Sequence, residues 1–187
     1  VREKEGVRAV FDVREGPKTS VGDVRIEGAS LYPSEALARE LVSRAGGPYY
    51  PPNVQRDVGE IEAFYLNRGV RGTAVAARVE PAGDGRVTLV YAVDEGSPVT
   101  VRNVFVTGNR TTRRSVIGRE LRVAPGEAAD YAKVQETKRR LDRLGIFSDV
   151  RVDEVQTGPG DEVVVVTLRE GEKNYTGLGL GFESLTP

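Results

Sequence analysis

The chain has 187 residues, 27 basic and 28 acidic, for a net charge of −1, so no global field is available to hold a nucleic acid or an anionic membrane surface. Cysteine, histidine, methionine and tryptophan are all absent, which excludes disulfides, thiol chemistry and imidazole-based catalysis or metal binding. No apolar run reaches transmembrane-helix length, and the opening at Val1, without an initiator Met, is expected to be that of an internal segment.

The stretch Val7 to Gly16 predicts an apolar strand with a Glu-Gly exit, and it recurs at Val87 to Gly96 and Val163 to Gly171, with arginine before the Glu-Gly in the first and last. Moving about 80 positions along also maps Val24-Arg-Ile-Glu-Gly28 onto Val104-Phe-Val-Thr-Gly108, Leu37 onto Ile117, Val54 onto Val134 and Ile61 onto Leu141. Two full copies follow, 17–96 and 97–171, with 1–16 as the final strand of a preceding repeat and 172–187 as a tail. The copies carry 9 basic and 11 acidic, then 13 basic and 11 acidic side chains, so neither is strongly polarised.

In the first copy, Val24 and Ile26 alternate with polar residues, which predicts a strand with one buried face. Leu37 and Leu41 lie one helical turn apart and predict a short helix that stops at Gly46-Gly47. Tyr49-Tyr-Pro-Pro52 is expected to be an extended connector, with the tyrosines packed over the end of the sheet. Asn53 is the expected N-cap of a second helix striped by Val54, Val58, Ile61 and Tyr65 and ended by Gly69. Gly72 to Val79 predicts a strand, Ala82-Gly-Asp-Gly85 a hairpin turn, and Arg86 to Asp94 a returning strand.

The second copy repeats this order. Val101 to Thr107 is the strand, a helix lies near Arg113 to Leu121, and Asp130 caps a helix carrying Val134, Leu141 and Leu144, which Gly145 terminates. Val150-Arg-Val152 begins an alternating strand, Gly158-Pro-Gly160 turns, and Val163 to Leu168 is apolar at nearly every position. Continuous apolarity places the last strand of each copy at the sheet centre, and alternation places the one before it at an edge. The expected class is α+β, two tandem β-α-α-β-β domains, each a three-stranded mixed sheet against two helices.

The run Arg139-Arg-Leu-Asp-Arg-Leu-Gly-Ile-Phe-Ser-Asp-Val-Arg-Val152 resembles the signature of the last POTRA domain of BamA- and TamA-like outer-membrane assembly proteins. Val104-Phe-Val-Thr-Gly-Asn109 is similar to that domain's opening strand and turn. Tyr65-Leu-Asn-Arg-Gly69 matches the looser form of inner POTRA repeats. On this resemblance Gly108, Leu144, Gly145 and Phe147 are structural motif positions. Asn174-Tyr-Thr-Gly-Leu-Gly-Leu-Gly-Phe-Glu183 resembles the start of the first strand of the family's membrane β-barrel, with Leu178, Leu180 and Phe182 alternating with Gly179, Gly181 and Glu183.

No residue constellation supports catalysis. The acidic pairs Glu60/Glu62 and Asp153/Glu154 suit solvated surface better than acid–base chemistry, and Gly177 to Gly181 lacks the lysine and the strand–turn–helix setting of a phosphate loop. No cofactor, metal site or enzymatic activity is expected. Basic residues Arg110, Arg113 and Arg114, with Lys138, Arg139 and Arg140, are balanced by Glu120, Glu136 and Asp142 and suit solvated helix surface. Contact with anionic lipid or an acidic partner is the sharper alternative.

The strongest candidate sites are the edge strands, because an unpaired strand offers N–H and C=O groups to any extended polypeptide. In the first copy these are Gly72, Thr73, Ala74, Val75, Ala76, Ala77 and Val79, whose small side chains leave the backbone accessible, and in the second Val150 and Val152. The resemblance implies a periplasmic, polypeptide-binding module that receives unfolded outer-membrane proteins by strand addition. It also implies scaffolding of accessory assembly lipoproteins, and membrane attachment through a C-terminal barrel. A two-partner secretion transporter and a spacer without client binding are the alternatives. The short Glu95-Gly-Ser-Pro98 junction is expected to restrict relative domain motion.

Overall fold

The structure, a computed structural model, describes residues 18–171. The expected strand at Val7 to Gly16 and the barrel-like tail at Asn174 to Glu183 lie outside the described residues. The chain divides into two units, residues 18–62 with Ala74–Asp94, and Ala63–Thr73 with residues 95–171.

The first unit opens with β1 (Ser20–Glu27), followed by α1 (Ser34–Glu40) and α2 (Pro51–Leu66), whose last turn belongs to the second unit. β3 (Ala74–Gly83) and β4 (Arg86–Asp94) complete its sheet, in the order β1-β4-β3. β1 runs parallel to β4 and β3 antiparallel to it, so the sheet is mixed. β4 is central because it can be buried on both faces: Leu89, Val90 and Tyr91 are all at most 1% exposed. Val21, Leu37, Leu41, Val54 and Ile61 are buried as well, and each large side chain removed from water in this way stabilises the fold by about 1.5–3 kcal/mol. The β3–β4 hairpin turns at Asp84-Gly85, both with positive φ, as a two-residue turn that follows the strand twist requires.

Two local expectations are corrected. The second helix starts at Pro51 rather than after Asn53, so Asn53 is not its N-cap, and its N–H donates to the Tyr50 carbonyl at 2.9 Å. Prolines fit a first helical turn, where the missing N–H would have no intrahelical partner. Tyr50, expected to pack against the sheet, is 57% exposed.

The second unit contains β6 (Thr100–Thr107), α3 (Arg114–Gly118), α4 (Tyr131–Arg143), β7 (Phe147–Gly158) and β8 (Asp161–Glu170). Its sheet has the order β6-β8-β7, with β6 parallel and β7 antiparallel to β8. Val101, Ile117, Val134, Leu141, Val150, Val164, Val166 and Leu168 form the core. Asp130 caps α4 by accepting from the Lys133 N–H at 3.1 Å. α3 is shorter than the apolar spacing suggested, ending at Gly118.

The second unit also takes in two short strands absent from the sequence reading: β2 (Val70–Arg71) and β5 (Ser97–Pro98), paired antiparallel. The Val99 N–H donates to the Gly69 carbonyl at 2.7 Å, and the Tyr65 hydroxyl bonds Glu95 at 2.6 Å. Two-residue strands carry no periodicity, which is why the sequence does not reveal them.

Candidate functional site

β3 pairs only with β4, so its outer edge has no partner strand among the described residues. Ala74, Ala76 and Val79 are exposed, while Val75 and Ala77 are half-buried. Three of the first four side chains are methyl groups, which leave the backbone N–H and C=O groups of the edge within reach of an extended chain. Gly72 and Thr73, expected in this strand, lie outside it. Gly72 has a φ of 81° and bends the chain into β3, and the strand proper begins at Ala74.

β7 is likewise an edge, but a guarded one. Its register shifts between Phe147 and Asp149, and a bulge of this kind turns an edge away from further pairing; a second shift, between Gln156 and Gly158, lies beside the hairpin as the one between Pro81 and Gly83 does in β3. Val150 is 3% exposed and sits in the core, and Val152 packs against the same cluster, so neither offers its side chain to a partner. Side-chain recognition there would fall to the outward-facing Arg151, Asp153 and Val155, which are exposed.

Beside Val152, on the same face of β7, Glu154 accepts from Arg71 at 2.7 Å, and Arg71 also reaches Glu162 on β8 at 3.1 Å. Glu162 is 4% exposed, a buried acid held by a single guanidinium. Desolvation raises the Glu154 carboxyl above the ordinary carboxylate range, with Arg71 pulling it down and Glu162 pushing it up. The sequence could not show this triad, because Arg71 lies 83 and 91 positions from its partners.

The motif positions fall at joints of the fold. Gly108 has a φ of 86°, and a Cβ there would strike the Leu168 carbonyl. Leu144 and Phe147 pack against the core on either side of Gly145, which has a φ of 66° and whose N–H donates to the Asp142 carbonyl. Glu170, from the recurring Arg-Glu-Gly exit, receives the N–H groups of Arg110, Thr111 and Thr112 and the Thr111 hydroxyl at 2.7–3.1 Å. These bonds, the Thr111 hydroxyl first, lower its carboxyl to about 2. One carboxylate therefore organises the loop after β6.

Among the described residues no group of three or more acids could hold a metal ion, and no helix is long and apolar enough to cross a membrane.

The POTRA family model, described as surface antigen variable number repeat, matches residues 19–96 and 99–171. The chain is 27% identical over 188 residues to the outer membrane protein assembly factor BamA of Nitratidesulfovibrio vulgaris, covering 97% of this chain and 24% of that protein. It is 28% identical over 170 residues to BamA of Neisseria meningitidis serogroup B, covering 90% and 21%. The chain thus spans about a quarter of the length of these relatives. Among solved structures it is similar to POTRA3-5 of Haemophilus influenzae BamA, with a TM-score of 0.61 and 24% identity over 83% of this chain and 63% of that one. It is also similar to Haemophilus ducreyi BamA lacking POTRA domains 1-3, with a TM-score of 0.68 and 21% identity over 83% and 30%. With the mixed sheets, the paired helices and the family match present twice, the chain belongs to the POTRA family.

Proposed function

We propose that this chain is a periplasmic module of an outer-membrane β-barrel assembly protein and that it receives unfolded outer-membrane polypeptides by strand addition. POTRA domains of BamA lie on the periplasmic side of the outer membrane. The observation that supports client binding is the outer edge of β3, which has no partner strand among the described residues and begins with Ala74, Val75, Ala76 and Ala77. Main-chain pairing imposes little sequence preference and gives weak, reversible contacts, which suits a site that hands many different clients onward. β7, with its bulge and its inward Val150 and Val152, serves as a secondary edge. Accessory assembly lipoproteins would dock on other faces of the two copies, and residues 172–187 would lead into the barrel.

An NMR titration of the isotope-labelled chain with an unstructured peptide from an outer-membrane β-barrel tests this. Saturable shifts should follow Ala74 to Val79. Proline scanned through Ala74–Ala77 should abolish them at positions whose N–H points away from β4 while leaving the sheet intact. Silence along β3 would leave a spacer or a scaffold for accessory proteins as the better reading.

A further inference from the structure

An apolar groove of about 280 Å³ opens in the second unit between the edge of β6 and α3. Val104, Val106, Ile117 and Leu121 line it, and Phe105 and Arg114 border it. Phe105 is 50% exposed. Around α3 lie five arginines within thirteen residues, Arg110, Arg113, Arg114, Arg119 and Arg122, all exposed. None of the five has a carboxylate partner among the described residues. By contrast, seven other basic side chains of the second copy are paired with an acid. Glu120, the one acid within this stretch, is already engaged by Arg140 at 2.8 Å.

The feature belongs to one copy only. In the first, Arg25 stands at the place of Phe105, Pro33 and Ser34 at those of Arg113 and Arg114, and Val42 at that of Arg122. Strand addition does not explain the groove. The start of the β6 edge is covered by the loop before α4, through Val101 N–H to Glu127 carbonyl at 2.8 Å and Gly126 N–H to Val101 carbonyl at 2.7 Å. The Val104 N–H is taken by the side chain of Asn103 at 2.8 Å. Recognition therefore falls to side chains: an apolar floor that must be covered and a surplus of cations that must be matched.

We propose that this groove is a docking site for acidic peptide segments, which place one apolar side chain on its floor and hold flanking carboxylates against the arginines around α3. Arginine suits this task because its planar fork binds carboxylates in bidentate fashion. A flat phosphate-bearing surface would meet the arginines and leave the groove empty. The site is separate from the β3 and β7 edges and stands whether or not those receive clients.

The test is a titration of the labelled 187-residue chain with an end-blocked peptide of alternating Leu and Glu, a Leu/Lys counterpart, and vesicles of phosphatidylglycerol. The acidic peptide should shift β6 and α3 amides saturably, leave β1 and α1 unmoved, and weaken as salt is added. Arg113→Glu/Arg114→Glu should weaken binding at least tenfold. Gly118 lines the groove, and a Cβ there would meet nothing within 4 Å, so Gly118→Leu should fill the groove and weaken binding equally without disturbing the fold. The proposal is overturned if the Leu/Lys peptide binds as well, if either variant binds as before, or if only the vesicles shift these amides.

Discussion

Asp57 shows how one side chain can organise a small core. Fully buried on α2, it accepts from the N–H groups of Val42 and Ser43 and from the Tyr91 hydroxyl at 2.7 Å. Burial, with Asp57 beside it, holds the Tyr91 phenol far above its ordinary value, so the phenol stays a donor. The second copy has Thr137 at the same place, also fully buried, where it accepts from the Arg122 N–H at 2.8 Å and donates to the Lys133 carbonyl. Tyr91 aligns there with Val166, which has no hydroxyl to satisfy, and threonine suffices. Replacing Asp57 by Ala would take the carboxylate acceptor from the Tyr91 hydroxyl, leaving it Ser43, and would strand two N–H groups, so denaturant unfolding should show a loss of about 2–4 kcal/mol. Gly108→Ala meets both a left-handed φ and the Leu168 carbonyl, and should cost at least about 2 kcal/mol in the same measurement. For Glu170 the sign follows from a folded-state pKa of about 2 against an ordinary 4.5. Its contribution is complete above pH 4.5 and is lost as pH falls towards 2. Glu170→Gln should therefore flatten the acid limb of stability over that window while leaving the neutral-pH fold intact.

Elements were legible where local chemistry decides them. Asp130 sits one residue before α4 and caps it, Gly145 follows the helix, and Asp84-Gly85 turns the β3–β4 hairpin. The centrality of β4 and β8 followed from their unbroken apolarity. What escaped the sequence depends on distant partners. Asp57 looks like any polar residue on a helix until Tyr91, 34 positions away, is placed beside it. β2 and β5 are too short to carry a pattern, and the candidate edge lost Gly72 and Thr73 because a bend at Gly72 delays the strand. The Arg71 triad is of the same kind and belongs to the second unit. Arg71→Ala leaves Glu162 buried without its cation, and should destabilise that unit by about 3–5 kcal/mol. A double replacement, Arg71→Met with Glu162→Gln, should recover most of the loss, read by denaturant unfolding.

Across the described residues, two copies of one fold differ at their surfaces, and in the core at the Asp57–Tyr91 pair, which Thr137 and Val166 replace. The first presents an edge of small residues on β3, in unbroken register from Ala74 to Pro81. The second guards β7 with a bulge and concentrates unpaired arginines around α3. On the two proposals made above, such a module would handle extended polypeptide at one place and an acidic partner at another. The central claim, that the β3 edge accepts a client strand, is tested most directly by amide hydrogen exchange of the chain with and without an unfolded outer-membrane β-barrel protein. The account predicts that alternate amides from Ala74 to Val79 gain protection when the client is added, while those of β1 do not change. Unchanged exchange along β3 at saturating client, or protection confined to other strands, would contradict it.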